Sequence, residues 1–286
     1  MSFTLLAPVL FGLIAASVTG LGLLLVAWQS RWTARHASLF GIAAGGMLVT
    51  LTLMHITPEA LGHGGPAGPA LILAGFLIGT LATAAARLVA PLGPHSAASL
   101  APPGALGPLI AVALHSLIDG AVYSATFVAN AEAGIYAATA LTLHEVPEAV
   151  VAFALMRQQG AALRPALFWA FLAAGLTTPL GAALSLPVVH LVAETLRPGL
   201  LALSAGLLLY VATGPLLSPL RESPQLRGLV ALGVGLVAGL VLLRLPLHAH
   251  TIDTGEAGPH AHVHDAPSGH DHAHPHPLRF SPHPPH

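Results

Sequence analysis

Three apolar stretches of the chain each contain a histidine followed, four residues later, by a carboxylic acid. The pairs are His55 with Glu59, His115 with Asp119, and His144 with Glu148. Residues four apart lie on the same face of an α-helix, one turn from each other. Imidazole nitrogen and carboxylate oxygen are ligands for Zn²⁺ and for other divalent transition metals. The spacing therefore predicts helices that present metal ligands from one face.

The second and third pairs are extended by polar neighbours. Ser116 follows His115 in HSLIDG (115–120), and Glu145 follows His144 in HEVPEA (144–149). Both clusters fall near the centres of their apolar stretches, which a short turn around residues 130–134 joins, so antiparallel neighbouring helices bring them together. We predict that a metal or proton site near the middle of the membrane is formed by His115, Asp119, His144, Glu145 and Glu148.

The first pair has a different position. His55 and Glu59 lie near the end of their apolar stretch, which suits an entrance to the site better than its centre. A structural ion-pair network between helices is the alternative reading for all of these residues. Ionisable groups inside a membrane are costly and are generally functional, which favours a metal or proton site for the two central clusters.

The composition is that of a membrane protein. Of the 286 residues, 55% are hydrophobic and only 7% are charged, whereas soluble domains are about 25% charged. The absence of cysteine excludes disulfides and thiolate metal sites. A net charge of −1 gives no support for nucleic-acid binding.

Eight segments are long and apolar enough to cross a bilayer, which takes about 20 residues. They cover residues 4–28, 38–61, 69–90, 106–129, 134–156, 166–191, 199–220 and 228–247. We predict an all-α integral membrane protein with one transmembrane domain, residues 1–247.

The distribution of arginine predicts the orientation of the spans. All ten basic residues are arginine, and seven of them lie in or beside the breaks that follow the odd-numbered spans: Arg31, Arg35, Arg87, Arg157, Arg164, Arg221 and Arg227. Because cytoplasmic loops are enriched in basic residues, these breaks are expected in the cytoplasm and both termini outside. The expected location is the cell membrane.

The C-terminal segment, residues 248–286, contains eleven of the eighteen histidines among proline, glycine and alanine. Such a composition cannot bury a core, so we predict a disordered tail. Its alternating pattern favours weak metal capture over a merely solvated tail. The histidines expected to take part are His260, His262, His264, His270, His272, His274 and His276.

The two central motifs resemble those of the ZIP family of divalent-metal transporters. HSLIDG is similar to the fourth-helix motif of that family and HEVPEA to its fifth-helix motif, while HITPEA (55–60), LTTPLGAALS (176–185) and SAGLLLYVA (204–212) resemble segments of helices 2, 6 and 7. The resemblance implies eight helices in a 3+2+3 arrangement, with inverted repeats flanking helices 4 and 5. It also implies that both termini lie outside.

The resemblance further implies a transport site with His115 and Asp119 from helix 4 and Glu145 and Glu148 from helix 5, beside His144. Many family members bind a second metal through an asparagine and a glutamate. Ser116 and Thr178 stand at those positions here, so they are expected to act as weak second-site or supporting residues beside one principal site.

We therefore predict a transporter that moves a divalent cation into the cytoplasm. Zn²⁺ is the expected substrate, with Fe²⁺ and Mn²⁺ as alternatives. The expected partners are metal ions and the lipid bilayer, with no nucleic acid and with a homodimer as one possible assembly.

Two other functions are open at this point. One is an intramembrane metal-dependent hydrolase, because HEVPE approaches the H-E-x-x-H pattern of zinc proteases but ends in Glu148. The other is a metal-binding or sensor protein whose tail performs the function.

Overall fold

The computed structural model describes residues 3–89, 102–189, 197–222 and 224–244, and the regular structure of these ranges is helical throughout. The first half contains α1 (Phe3–Trp28), α2 (Ser30–Arg35), α3 (Ala37–Leu51), α4 (Thr57–Gly64) and α5 (Gly68–Val89). The second half contains α6 (Pro103–Ala129), α7 (Ala131–Gln158), α8 (Leu163–Phe171), α9 (Thr177–Ser185), α10 (Arg197–Val211) and α11 (Gln225–Leu243). The predicted histidine-rich tail lies outside the described residues.

Seven helical segments among the described residues are long and apolar enough to cross a membrane. They are Leu6–Trp28, Ala37–Gly62, Gly68–Leu88, Gly104–Val128, Leu163–Val188, Gly199–Arg221 and Gln225–Leu243. Each overlaps one of the predicted spans. The predicted span without such a counterpart is 134–156, which coincides with α7.

Helix α7 is the most polar of the long helices, and part of it is deeply packed. Its 28 residues correspond to about 42 Å, which exceeds the roughly 30 Å of a hydrocarbon core. It includes four charged residues, among them Glu145 and Glu148. Every residue of the turn and a half from 151 to 156 is buried. A helix buried on all sides meets protein in place of lipid, and protein can supply partners for its polar groups.

Helices α6 and α7 are joined by a single residue, Asn130. Its backbone is extended, with φ −160° and ψ 125°, and its side-chain Oδ1 accepts a hydrogen bond from the amide of Glu132 at 2.8 Å. This bond satisfies an amide of the first turn of α7, as N-terminal caps do. The two helices pack against each other, so the predicted neighbours are confirmed.

Three of the long helical segments contain a π-helical turn beside a proline. The turns are Thr52–Ile56, Leu172–Leu176 and Ala212–Leu216, and the prolines are Pro58, Pro179 and Pro215. Proline cannot donate to the carbonyl four residues earlier, and a local π turn is one way in which a membrane helix accommodates the freed carbonyl. Met54 and Gly175, whose carbonyls are freed by Pro58 and Pro179, both lie within these turns.

Three helix pairs approach each other through glycines in a reciprocal pattern. A Cβ atom added to Gly75 of α5 would collide with the carbonyl oxygen of Leu203, and one added to Gly206 of α10 with that of Ile72. Gly120 and Gly181 face the carbonyls of Thr178 and Leu117 in the same way between α6 and α9, as do Gly46 and Gly235, which face Leu232 and Ala43, between α3 and α11. Small residues permit this backbone contact between membrane helices.

We expect Gly235→Ala to destabilise the protein and Gly233→Ala, two residues earlier on α11, to leave it unchanged. The Cβ of Gly235 would overlap a carbonyl of α3, whereas nothing lies within 4 Å of the Cβ position of Gly233. Overpacking of this kind costs about 1–3 kcal/mol. Thermal unfolding of both variants in detergent measures the difference, and equal midpoints would contradict the backbone contact.

Candidate metal site

The structure brings together one histidine and two acids from the predicted set. His115 and Asp119 of α6 and Glu148 of α7 are all buried, and each offers one ligand atom within 4.8 Å of the others. Nε2 of His115 lies 2.9 Å from Oε1 of Glu148 and 3.6 Å from Oδ2 of Asp119. The i,i+4 spacing on α6 and the convergence of the two helices therefore produce a single cluster.

The dimensions of this cluster suit a small divalent cation. Ligands at tetrahedral positions around Zn²⁺, each about 2.1 Å from the ion, are about 3.4 Å from one another. The two distances from His115 Nε2 lie on either side of that value. One imidazole and two carboxylates also match the charge and the mixed N/O preference of such an ion.

Glu148 is held at both of its oxygens. Oε1 faces His115, and Oε2 accepts a hydrogen bond from Ser116 Oγ at 3.0 Å. The hydroxyl of Ser116 also lies 3.1 Å from the carbonyl oxygen of Val112. Ser116 thus lies against the three-residue cluster and fixes the plane of a carboxylate that belongs to it.

Glu145 lies apart from that cluster, in a cradle of hydroxyl groups. Thr19 of α1 donates a hydrogen bond to its Oε2 at 2.6 Å, and Thr178 of α9 donates one to its Oε1 at 3.1 Å. All three side chains are buried. Each hydroxyl occupies one lone pair of the carboxyl group, and together they connect α1, α7 and α9 through it.

His144 and His55 meet beside the site. Their ring centroids are 4.9 Å apart, with an angle of 32° between the ring planes. His144 is buried, whereas His55, within the π turn, is half-buried. Glu59 is one turn further along the same helical segment and is also half-buried. This contact joins the residues predicted as an entrance to the helix that carries Glu145 and Glu148.

Sequence reasoning missed two residues of the site, Thr19 and Ser204. Ser204 of α10 makes a hydrogen bond with Nδ1 of His115, and both side chains are buried. The only sequence signal for either residue is a hydroxyl within an apolar span. That signal is weak because serine and threonine commonly bond to their own helix backbone.

A comparison with protein-family models shows to which family the chain belongs. The family model described as ZIP Zinc transporter matches residues 95–245, more than half of the chain and a range that includes α6 and α7. The chain belongs to the ZIP family. No curated protein matches it.

Family membership decides between the alternatives that the motifs left open. ZIP proteins are membrane transporters of divalent metals such as zinc and are not enzymes. The likeness of HEVPE to a zinc-protease motif therefore has no catalytic meaning here. With its seven membrane-capable helices among the described residues, this ZIP protein is an integral membrane protein.

We expect Thr19→Val to destabilise the protein more than Thr139→Val does. The first change removes the hydrogen bond to Glu145 and leaves a buried oxygen without that donor, which costs about 1–3 kcal/mol. Thr139 is exposed and donates a hydrogen bond to the carbonyl of Ile135 in its own helix. Thermal unfolding in detergent measures the stability of both variants. Equal unfolding midpoints would show that the hydrogen bond from Thr19 to Glu145 does not stabilise the protein.

Proposed function

We propose that this ZIP protein carries Zn²⁺ into the cytoplasm through a site formed by His115, Asp119 and Glu148. The observation that carries the proposal is the convergence of these three buried ligands from α6 and α7. Fe²⁺ and Mn²⁺ accept the same ligands and are the alternative substrates. Imidazole nitrogen and carboxylate oxygen are suitable ligands for Fe²⁺ and for Mn²⁺.

Three protein ligands are chemically appropriate for a transported ion. A structural zinc site closes all four tetrahedral positions with protein atoms, whereas three ligands leave one position for water. An ion held in this way can exchange ligands and leave. The site is also built from two helices joined by one residue, so both halves remain close together.

We further propose that one ion occupies the site at a time. Ser116 and Thr178 stand where many family members place ligands of a second metal. In this chain their hydroxyls donate to Glu148 and Glu145. Glu145 then acts as a fixed carboxyl group beside the ion, and His144 lies between the site and the entrance.

For access to the site, we propose a route that passes His55 and Glu59. The ring contact between His55 and His144 supports it, because an ion at the half-buried His55 would be one side chain from the helix of the ligands. Imidazole groups in sequence offer successive weak ligands along such a route.

The membrane topology completes the proposal. Helix α7 is long enough to cross the bilayer and packs against α1, α3 and α6, so we count it as the eighth transmembrane helix, in a 3+2+3 arrangement. The arginine distribution supports an orientation with both termini outside the cell membrane. The transport domain then covers residues 1–247.

Replacing a ligand should remove transport. We expect Asp119→Ala and Glu148→Ala to lower Zn²⁺ uptake at least about 100-fold, because loss of a metal ligand should exceed the 10–100-fold effects seen for its supporting residues. The measurement is initial uptake into proteoliposomes that contain the full chain.

The matched control for this experiment is Glu132→Gln. Glu132 is an exposed acid in the first turn of α7, and we expect its loss to leave uptake at the wild-type rate. Wild-type uptake by the Asp119 and Glu148 variants would show that the transport site is elsewhere.

Deleting residues 248–286 separates transport from tail-driven metal binding. We expect the shortened chain to retain the maximal uptake rate and to need a higher Zn²⁺ concentration for half-maximal uptake, because the tail supplies capture and the helices supply passage. The same proteoliposome assay measures both quantities. Complete loss of uptake would show that the tail is needed for passage itself, which would contradict the proposed division of roles.

A further inference from the structure

The hydroxyl of Ser204 makes a hydrogen bond with a histidine ring of another helix. Hydroxyl groups in membrane helices generally bond to the carbonyl one turn earlier in their own helix. In this chain Ser17, Thr50, Thr80 and Thr126 do so, with distances of 2.8–3.1 Å. Ser204 instead contacts Nδ1 of His115 on another helix.

This contact lies on the side of the imidazole opposite to the two acids. Nε2 of His115 faces Glu148 and Asp119, so the opposite ring nitrogen, Nδ1, is the one at Ser204. When Nε2 binds a cation through its lone pair, the ring hydrogen lies on Nδ1 and needs an acceptor. Ser204 Oγ is placed to accept it, and it also limits rotation of the ring.

Backbone contacts fix the position of this hydroxyl. The carbonyl of Leu203, the residue before Ser204, lies against Gly75 of α5. Gly206, two residues after Ser204, lies against the carbonyl of Ile72. Ser204 therefore lies between two points at which α10 and α5 are in backbone contact. Burial of both Ser204 and His115 keeps water from competing for the hydrogen bond.

We propose that Ser204 is a positioning residue for His115, which holds the imidazole with Nε2 towards Asp119 and Glu148 and accepts the Nδ1 hydrogen when a cation is bound. The inference rests on the proposed function, since it assigns His115 as a ligand of the transported ion. It adds a helix, α10, to the two that supply ligands.

The test is Zn²⁺ uptake by the full chain in proteoliposomes, with the concentration for half-maximal uptake, KM, and the maximal rate measured separately. We expect Ser204→Ala to raise KM about 10-fold or more, because loss of a group that orients a ligand weakens metal binding by about 10–100-fold. Ser204→Thr keeps the hydroxyl, so we expect it to restore most of the affinity.

The matched control is Ser124→Ala. Ser124 is an equally buried serine on α6, and its hydroxyl donates to the carbonyl of Ala182 at 2.8 Å, away from the three-residue cluster. We expect this variant to retain the wild-type KM. Thermal unfolding without metal shows whether both alanine variants are folded to the same extent.

Several outcomes would overturn the inference. One is an unchanged KM for Ser204→Ala, and another is an equal rise in KM for the alanine and threonine variants, which would indicate packing and not hydrogen bonding. If the alanine variant does not fold, the threonine variant decides: a KM near wild type supports the inference, and a KM raised about 10-fold contradicts it.

His115→Ala separates this inference from the proposed function. If that variant takes up Zn²⁺ at the wild-type rate, His115 is not a ligand and the proposed site itself is wrong. If it loses uptake while Ser204→Ala behaves as wild type, the site stands and only the role of Ser204 is refuted.

Discussion

The cost of placing carboxyl groups inside a membrane protein dominates this structure. Charged groups at the centre of a bilayer are expensive and must find partners among protein side chains or bound ions. Each of the three central acids has such partners: Asp119 faces His115, Glu148 lies between His115 and Ser116, and Glu145 accepts from two threonines. The packing of α6 and α7 inside the helix bundle follows from this requirement.

The three acids have two kinds of partner, an imidazole ring and hydroxyl groups. The partner of Asp119 and Glu148 is an imidazole nitrogen, whereas Glu145 accepts hydrogen bonds from two threonine hydroxyls. Neighbouring positions on α7, 145 and 148, are three residues apart and so lie near each other on the helix surface. Their partners come from different helices, so two carboxyl groups on one helical turn have different surroundings.

The sequence predicted an all-helical membrane protein, seven of whose spans have counterparts among the described residues, and three residues that the structure brings together. Periodic apolar segments revealed the long helices, and the i,i+4 spacing of His115 and Asp119 revealed the face that meets Glu148. The roles of Glu145, Thr19 and Ser204 could not be predicted in the same way, because they depend on which helices α1, α9 and α10 contact. The spacing of residues within one helix contains no information on those contacts, and a hydroxyl in an apolar span is too common to single out.

The π turns have a consequence for how this chain can be compared with others. A π turn is equivalent to one extra residue within an α-helix, so a related sequence that lacks one residue between 52 and 56, 172 and 176, or 212 and 216 would form a continuous α-helix there. Because the wider turn absorbs the rotation of about 100° that the extra residue would add to an α-helix, residues beyond that point would keep the same faces in both sequences. For Thr178, just after the second turn, this would keep the side chain directed towards Glu145. A one-residue gap at these places in an alignment is therefore compatible with a conserved helix face, whereas a one-residue gap elsewhere in a helix changes the face of everything beyond it.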